Sequence, residues 1–205
     1  MKPAYWDRAK RAIARNDPVM ASIVRRYPRM HLVSRGDPFQ TLARSIVGQQ
    51  ISVKAAQSVW TRVLGLLGEV TPARACAVER AKLRACGLSG RKVEYLCDLA
   101  QHFAERRIVP QRWLAMDDEA VIADLVEVRG IGRWTAEMFL MFNLLRPDVL
   151  PLDDIGVQRG ISLAYYKGRR ISVRTMRRVA EAWRPWRSVA TWYLWRSLDP
   201  VPVEY

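Results

Sequence analysis

Apolar residues recur along this chain at helical spacing and nowhere alternate over the length of a strand. Phe39, Leu42, Ile46 and Val47 share one face, so residues 38–50 predict an amphipathic helix. A second stripe, Val53, Ala56, Val59, Trp60, Val63 and Leu67, follows Ser52. Three starts are marked by an acceptor side chain before proline: Asp17-Pro18, Asp37-Pro38 and Thr71-Pro72. Such a residue caps the first turn, and proline fits where a helix needs no N–H donor.

In order, helices are predicted over 5–15, 18–27, 38–50, 53–68, a short stretch from 72, 78–85, 90–107, 118–128 and 131–145. One more begins at Asp153 or Asp154, and two close the chain over 173–183 and 185–198. Residues 29–36 and 113–116 are links, and 48–52 (GQQIS) is a turn. The expected class is all-α.

Composition narrows the function. The 205 residues suffice for one domain or two small packed ones, and their hydrophobic half argues against disorder. At this size about 70% of the unfolded surface can be buried, so no disulfide or metal is required for a core. The net charge is +14, mostly arginine, and is spread along the chain. Such a surface attracts polyanions by counterion release, which puts nucleic acid ahead of an anionic membrane or an acidic protein. Three widely spaced cysteines make neither a disulfide framework nor a four-cysteine metal site. Buried free thiols in a reducing cytoplasm are expected. His31 and His102, without a metal-binding motif around them, do not make a zinc site. The charged N-terminus has no apolar signal core, and no apolar run approaches the ~18 residues of a membrane span.

The stretch VRGIGRWTA carries G-x-G directly before a helix. It follows a helix and not a strand, which counts against a dinucleotide fold. Two glycines permit positive φ and a close backbone approach, and the N–H groups at the next helix start can bind phosphate. Taken alone, the same pattern also describes a tight helix–helix turn with a glycine cap.

Val128, Gly130, Ile131, Gly132, Arg133, Thr135 and Ala136, followed by an aspartate after a short apolar link, resemble the helix-hairpin-helix DNA glycosylase superfamily. GIGRWTA, the Asp153-Asp154 pair, Trp183-Arg184-Pro185-Trp186-Arg187-Ser188 and the GQQIS turn are similar to its 3-methyladenine DNA glycosylase II branch. The likeness runs over residues 30 to 198.

The resemblance implies a minimal enzyme of two helical lobes with a DNA-binding cleft between them. Residues 1–37 and 146–205 would form one lobe and 38–145 the other, the latter holding the helix-hairpin-helix at 117–145. It implies that Asp154 is the catalytic acid, with Asp153 as the alternative. A carboxylate there stabilises an oxocarbenium-like sugar, and a helix start favours its negative charge. At position 134, where bifunctional relatives carry a Schiff-base lysine, this chain has Trp134. Tryptophan has no amine chemistry, so no AP-lyase activity is expected. No cysteine follows Cys97, so no iron–sulfur cluster is expected.

Trp134 and Trp195 resemble the branch's base-pocket aromatics, with Met138, Phe39 and Trp192 as further candidates. A π-face attracts a cationic alkylpurine. Gln50, with Ile51 beside it, maps to the residue that fills the gap left by a flipped base. Gly130, Gly132, Arg133, Thr135, Arg159 and Arg187 are candidate DNA contacts, as is Lys92. The carbonyls of Val126, Val128 and Ile131 match those that hold a Na+ or K+ ion in such hairpins; no other cofactor is expected. The implied function is a monofunctional hydrolase that removes 3-methyladenine- or 7-methylguanine-type bases from double-stranded DNA and leaves an abasic site. It would work as a monomer in a bacterial-type cytoplasm, at the nucleoid and not on a membrane. The rival readings are a glycosylase for other damaged bases and a non-catalytic helix-hairpin-helix DNA-binding protein.

Overall fold

The computed structural model describes residues 2–199, and every regular element within them is helical. In chain order the helices are α1 (Trp6–Asn16), α2 (Pro18–Arg26), α3 (Pro38–Gly48), α4 (Val53–Leu67), α5 (Pro72–Ala77), α6 (Arg80–Ala85) and α7 (Gly90–Ala104). They continue as α8 (Asp118–Val126), α9 (Arg133–Phe142), α10 (Ile155–Tyr166), α11 (Val173–Ala180) and α12 (Arg187–Leu198). Two 3-10 turns, Pro110–Ala115 and Glu181–Trp183, complete the set. The all-α expectation holds, and its local cause is visible at the helix starts. Asp17, Asp37, Ser52, Thr71, Ser89 and Asp117 each accept a backbone N–H of the first turn.

The differences lie where packing overrides pattern. The predicted helix over 131–145 is trimmed at both ends to α9, and the last helix begins at Arg187 instead of Pro185. The link at 113–116 falls mostly within a 3-10 turn that buries Trp113, whose indole donates to Asp124 at 3.1 Å. Val53, placed on the apolar stripe, is 48% exposed.

The chain divides into two compact units, residues 2–34 with 140–199 and residues 35–139. The resemblance places this border at 146. The division instead falls within α9, because Phe142 and Leu145 pack on the core of the first unit.

That core gathers Trp6, Ile13, Met20, Ile161, Trp183 and Tyr193 from α1, α2, α10, α12 and the second 3-10 turn. Its buried polar centre is Asp17. One oxygen caps α2 through the N–H groups of Val19 and Met20 at 2.9 and 3.1 Å. The other accepts the Trp183 indole at 2.9 Å and the Tyr165 hydroxyl. Each buried donor left without this acceptor would cost about 1–3 kcal/mol, so one carboxylate ties the N-terminal helices to the C-terminal ones. Burial, together with the same carboxylate, raises the Tyr165 phenol above its ordinary range.

In the second unit α7 is central. Helices α3, α5 and α6 pack on it, and α4 lies against α3 and α6. Leu42, Ile46, Val63, Leu96, Leu99 and Leu125 are buried there.

Candidate functional site

The hairpin joins α8 to α9 within the second unit. Gly130 sits at φ +83°, and a Cβ on it would lie 2.2 Å from the Tyr95 ring. Glycine is therefore required twice over, by conformation and by the close packing of Tyr95. Around Gly132 nothing lies within 4 Å of a Cβ position, so this face of the turn is open. The first hydrogen bond inside α9 runs from the Ala136 N–H to the Gly132 carbonyl at 3.0 Å. The N–H groups of the first turn of α9, which a helix does not use internally, point past its start.

Two side chains that sequence reasoning overlooked fix this turn. Asp98 of α7 accepts the Arg129 N–H at 2.9 Å. Gln49 donates to the Gly130 carbonyl at 2.8 Å, which joins the GQQ turn to the hairpin. Next to it, Gln50 is exposed and holds φ +57°. That left-handed conformation costs a non-glycine residue roughly 1–2 kcal/mol. Ile51 is also exposed. His102 supports Asp98 from below: its Nδ1 lies 2.8 Å from the Asp98 carbonyl, and Arg107 donates to its Nε2 at 2.8 Å. Because arginine only donates, Nε2 accepts and the ring proton sits on Nδ1.

Several cations expected at phosphate are engaged inside the protein. Lys92 donates to the Val47 carbonyl at 2.8 Å and closes the C-terminal end of α3; partial burial lowers its pKa. Arg133 binds Glu119 at 2.8 Å and Glu137 at 3.1 Å, pinning α8 to α9. Its hydrogen bond and charge hold the Glu119 carboxyl below the usual range. Thr135 lies on the buried face of α9, so only its backbone remains for a ligand.

The first unit carries the aspartate pair. Asp154 caps α10, its Oδ1 accepting the Val157 N–H at 2.7 Å. The same oxygen accepts the Trp195 indole N–H at 2.8 Å. Trp195 in turn stacks on Phe142, with ring centroids 5.8 Å apart and planes 12° off parallel. Gly156 makes room for this contact: a Cβ there would lie 2.9 Å from the indole and 3.0 Å from Oδ1. Asp153 is exposed and takes no part in the cap.

The link that leads to Asp154 is clamped from α12. Arg187 chelates Asp148 through Nε and Nη2 at 2.8 and 2.9 Å and reaches the Asp148 carbonyl with Nη2 at 2.8 Å. The Ser188 hydroxyl accepts the Val149 N–H at 2.9 Å and donates to the Arg146 carbonyl at 2.6 Å. The Arg187-Ser188 pair of the W-R-P-W-R-S stretch thus holds the approach to the carboxylate. The Arg187 guanidinium, expected at phosphate, is engaged here by Asp148.

The pocket candidates separate. Trp195 is partly exposed beside Asp154. Trp192 is core, edge-on to Trp6 at 5.3 Å and to Tyr193 at 5.1 Å. Phe39 is also core, 3% exposed and edge-on to Phe103 at 5.3 Å. Trp134, partly exposed, and Met138, buried, belong with the hairpin in the second unit. Among the described residues no three His, Cys, Asp or Glu side chains gather as metal ligands. All three cysteines are free thiols, though Cys76 is exposed, contrary to the expectation of burial.

Residues 43–185 match the HhH-GPD superfamily of base excision DNA repair proteins. The chain belongs to that superfamily. The matched span holds the GQQ turn, the hairpin and Asp154; Trp195 and Arg187 lie just beyond it. The chain is similar to a DNA-3-methyladenine glycosidase from Bacillus halodurans, with TM-score 0.86 and 34% identity over 93% of this chain and 89% of that one. It is similar also to the Schizosaccharomyces pombe 3-methyladenine DNA glycosylase solved with abasic DNA, with TM-score 0.82 and 27% identity over 97% and 99% of the two chains. DNA-3-methyladenine glycosylase 2 of Escherichia coli is 31% identical over 86% of this chain and 64% of its own length. The two solved relatives share the helical architecture described above.

Proposed function

We propose that this HhH-GPD protein is a monofunctional DNA glycosylase that hydrolyses the N-glycosidic bond of alkylated bases and leaves an abasic site. The observation that carries the reading is Asp154, whose Oδ1 is fixed by two N–H donors at 2.7 and 2.8 Å while its residue remains partly exposed. A carboxylate held in this way is preorganised to face developing positive charge, and preorganisation spares the cost of reorientation during reaction.

The chemistry follows. The bond between C1′ and the base nitrogen breaks, and its electron pair leaves with the base. An alkylated purine carries a positive charge, so it departs neutral without prior protonation. The oxocarbenium-like sugar is stabilised by the Asp154 carboxylate; water adds to C1′ and loses a proton, giving the abasic hydroxyl. Trp195 has two roles: it orients Asp154 through its N–H, and its ring offers a wall for the flipped base. Trp134 supplies no amine, which supports hydrolysis without strand cleavage. DNA is held through the hairpin at Gly130 and Gly132, through the N–H groups at the start of α9 and through exposed Arg159, with Gln50 or Ile51 filling the vacated stack. The carbonyls of Val126, Val128 and Ile131 suit a Na+ or K+ ion. Val128 already accepts the Ile131 N–H at 3.0 Å, and a carbonyl has a second lone pair to offer. Such an ion would neutralise part of the phosphate charge.

The deciding experiment uses duplexes that each hold one modified base, scored for free-base release and for strand breaks with and without alkali. Release of 3-methyladenine or 7-methylguanine, with breaks only after alkali, is expected. Breaks without alkali would remove the monofunctional assignment, and release confined to oxidised or deaminated bases would move the substrate class.

A further inference from the structure

Between residues 155 and 198 the chain carries ten lysines and arginines and a single acid, Glu181. That acid is taken: Glu181 pairs with Arg184 at 3.1 Å. Arg184 and Arg187 also share Asp148, and buried Arg196 lies over the Trp192 ring at 5.4 Å. The remaining cations of this stretch are exposed, and they concentrate on α10, α11 and the loop between them. Arg174, Arg177 and Arg178 occupy one face of α11, whose opposite face buries Met176 and Ala180. Arg159 and Arg170 line a groove of about 760 Å³ together with Ile155 and Ser172.

We infer that the groove between α10 and α11, with Arg159 and Arg170 in its lining, is a second DNA-backbone contact, separate from the hairpin, that holds the duplex on one flank of the target nucleotide. The groove starts at Ile155, the residue after Asp154, and Arg159 follows about 6 Å along the same helix. A strand presented to Asp154 therefore has its neighbouring phosphates within reach of the Arg159 and Arg170 guanidinium groups. Cations without carboxylate partners gain most from displacing counterions from DNA, whereas Arg133 and Arg187 would first have to release their own acids. The inference rests on the glycosylase reading for the identity of the polyanion, and its test is chosen to fail independently.

The test measures affinity of the full chain for an undamaged duplex across a salt series, with melting to verify folding. In the double variant Arg159→Gln, Arg170→Gln, the slope of log affinity against log salt should fall by about two, and binding at 0.1 M salt should weaken at least fivefold. A charge-matched control, Arg15→Gln, Arg25→Gln, on α1 and α2 should change the slope by less than one. Equal losses in both variants would overturn the proposal in favour of bulk charge. So would an unchanged slope, or loss of binding to RNA or polyglutamate with duplex affinity intact. Absence of base release by the wild type would sink the glycosylase reading and leave this slope comparison unaffected.

Discussion

The hairpin and the Asp154 site are built by opposite means. The hairpin is a backbone device: one positive-φ glycine, an open second glycine and a helix start present N–H groups, while side chains only brace it from behind. The Asp154 site is a side-chain device. One carboxylate oxygen is fixed by an indole from α12, beside a glycine that leaves just enough space. A backbone grip suits a ligand that every DNA sequence offers, the phosphate. A fixed carboxylate suits a charge that exists only during bond cleavage. The two should therefore respond differently to substitution, one in affinity and the other in rate.

The sharpest test of that division is Asp154→Asn. Asparagine caps a helix about as well as aspartate, so melting should stay within about 0.5 kcal/mol of wild type. Single-turnover excision should fall by roughly a hundredfold or more, with undamaged-duplex binding unchanged. Excision at the wild-type rate would remove Asp154 from the chemistry. Gly130→Ala tests the other side. The methyl group meets the Tyr95 ring and the backbone prefers negative φ, so about 2–4 kcal/mol of stability should be lost in denaturant titration. Duplex affinity should weaken at least tenfold, and a variant that binds normally would show that the turn is not the grip.

Trp195→Phe keeps an aromatic wall and removes the N–H donor. Excision at saturating enzyme should slow about tenfold, the equivalent of one hydrogen bond of about 1.4 kcal/mol. The salt slope of binding should stay as it was; a change in affinity alone would make Trp195 only a wall. The smallest effect is expected at Gln50→Gly. Glycine relieves the φ +57° backbone, so stability should rise by a few tenths to about 1 kcal/mol, while excision slows several-fold for want of a filler. A variant that gains stability without losing activity would move the wedge to Ile51.

Short-range features of both regions were legible in the sequence. Asp17, Asp37 and Ser52 announce their helices because a cap reaches only two or three residues ahead. Gly130 announces its turn because φ is a property of one residue. The paired aspartates likewise mark a helix start, and the spacing from hairpin to Asp154 points to the family.

What only the tertiary structure decided concerns partners distant in sequence. No local pattern places Trp195 on Asp154, Gln49 on Gly130, or Asp98 beneath Arg129, since these contacts form only when separate helices pack. Nor can a sequence say which arginines are free to meet DNA. Arg133 and Arg187 look like phosphate ligands until the fold brings Glu119 and Asp148 to them, whereas Arg159 and Arg170 share one groove only once α10 and the loop after it are folded. Charge is read residue by residue, but its availability depends on three-dimensional neighbours, because a nearby carboxylate cancels at short range what composition counts as net.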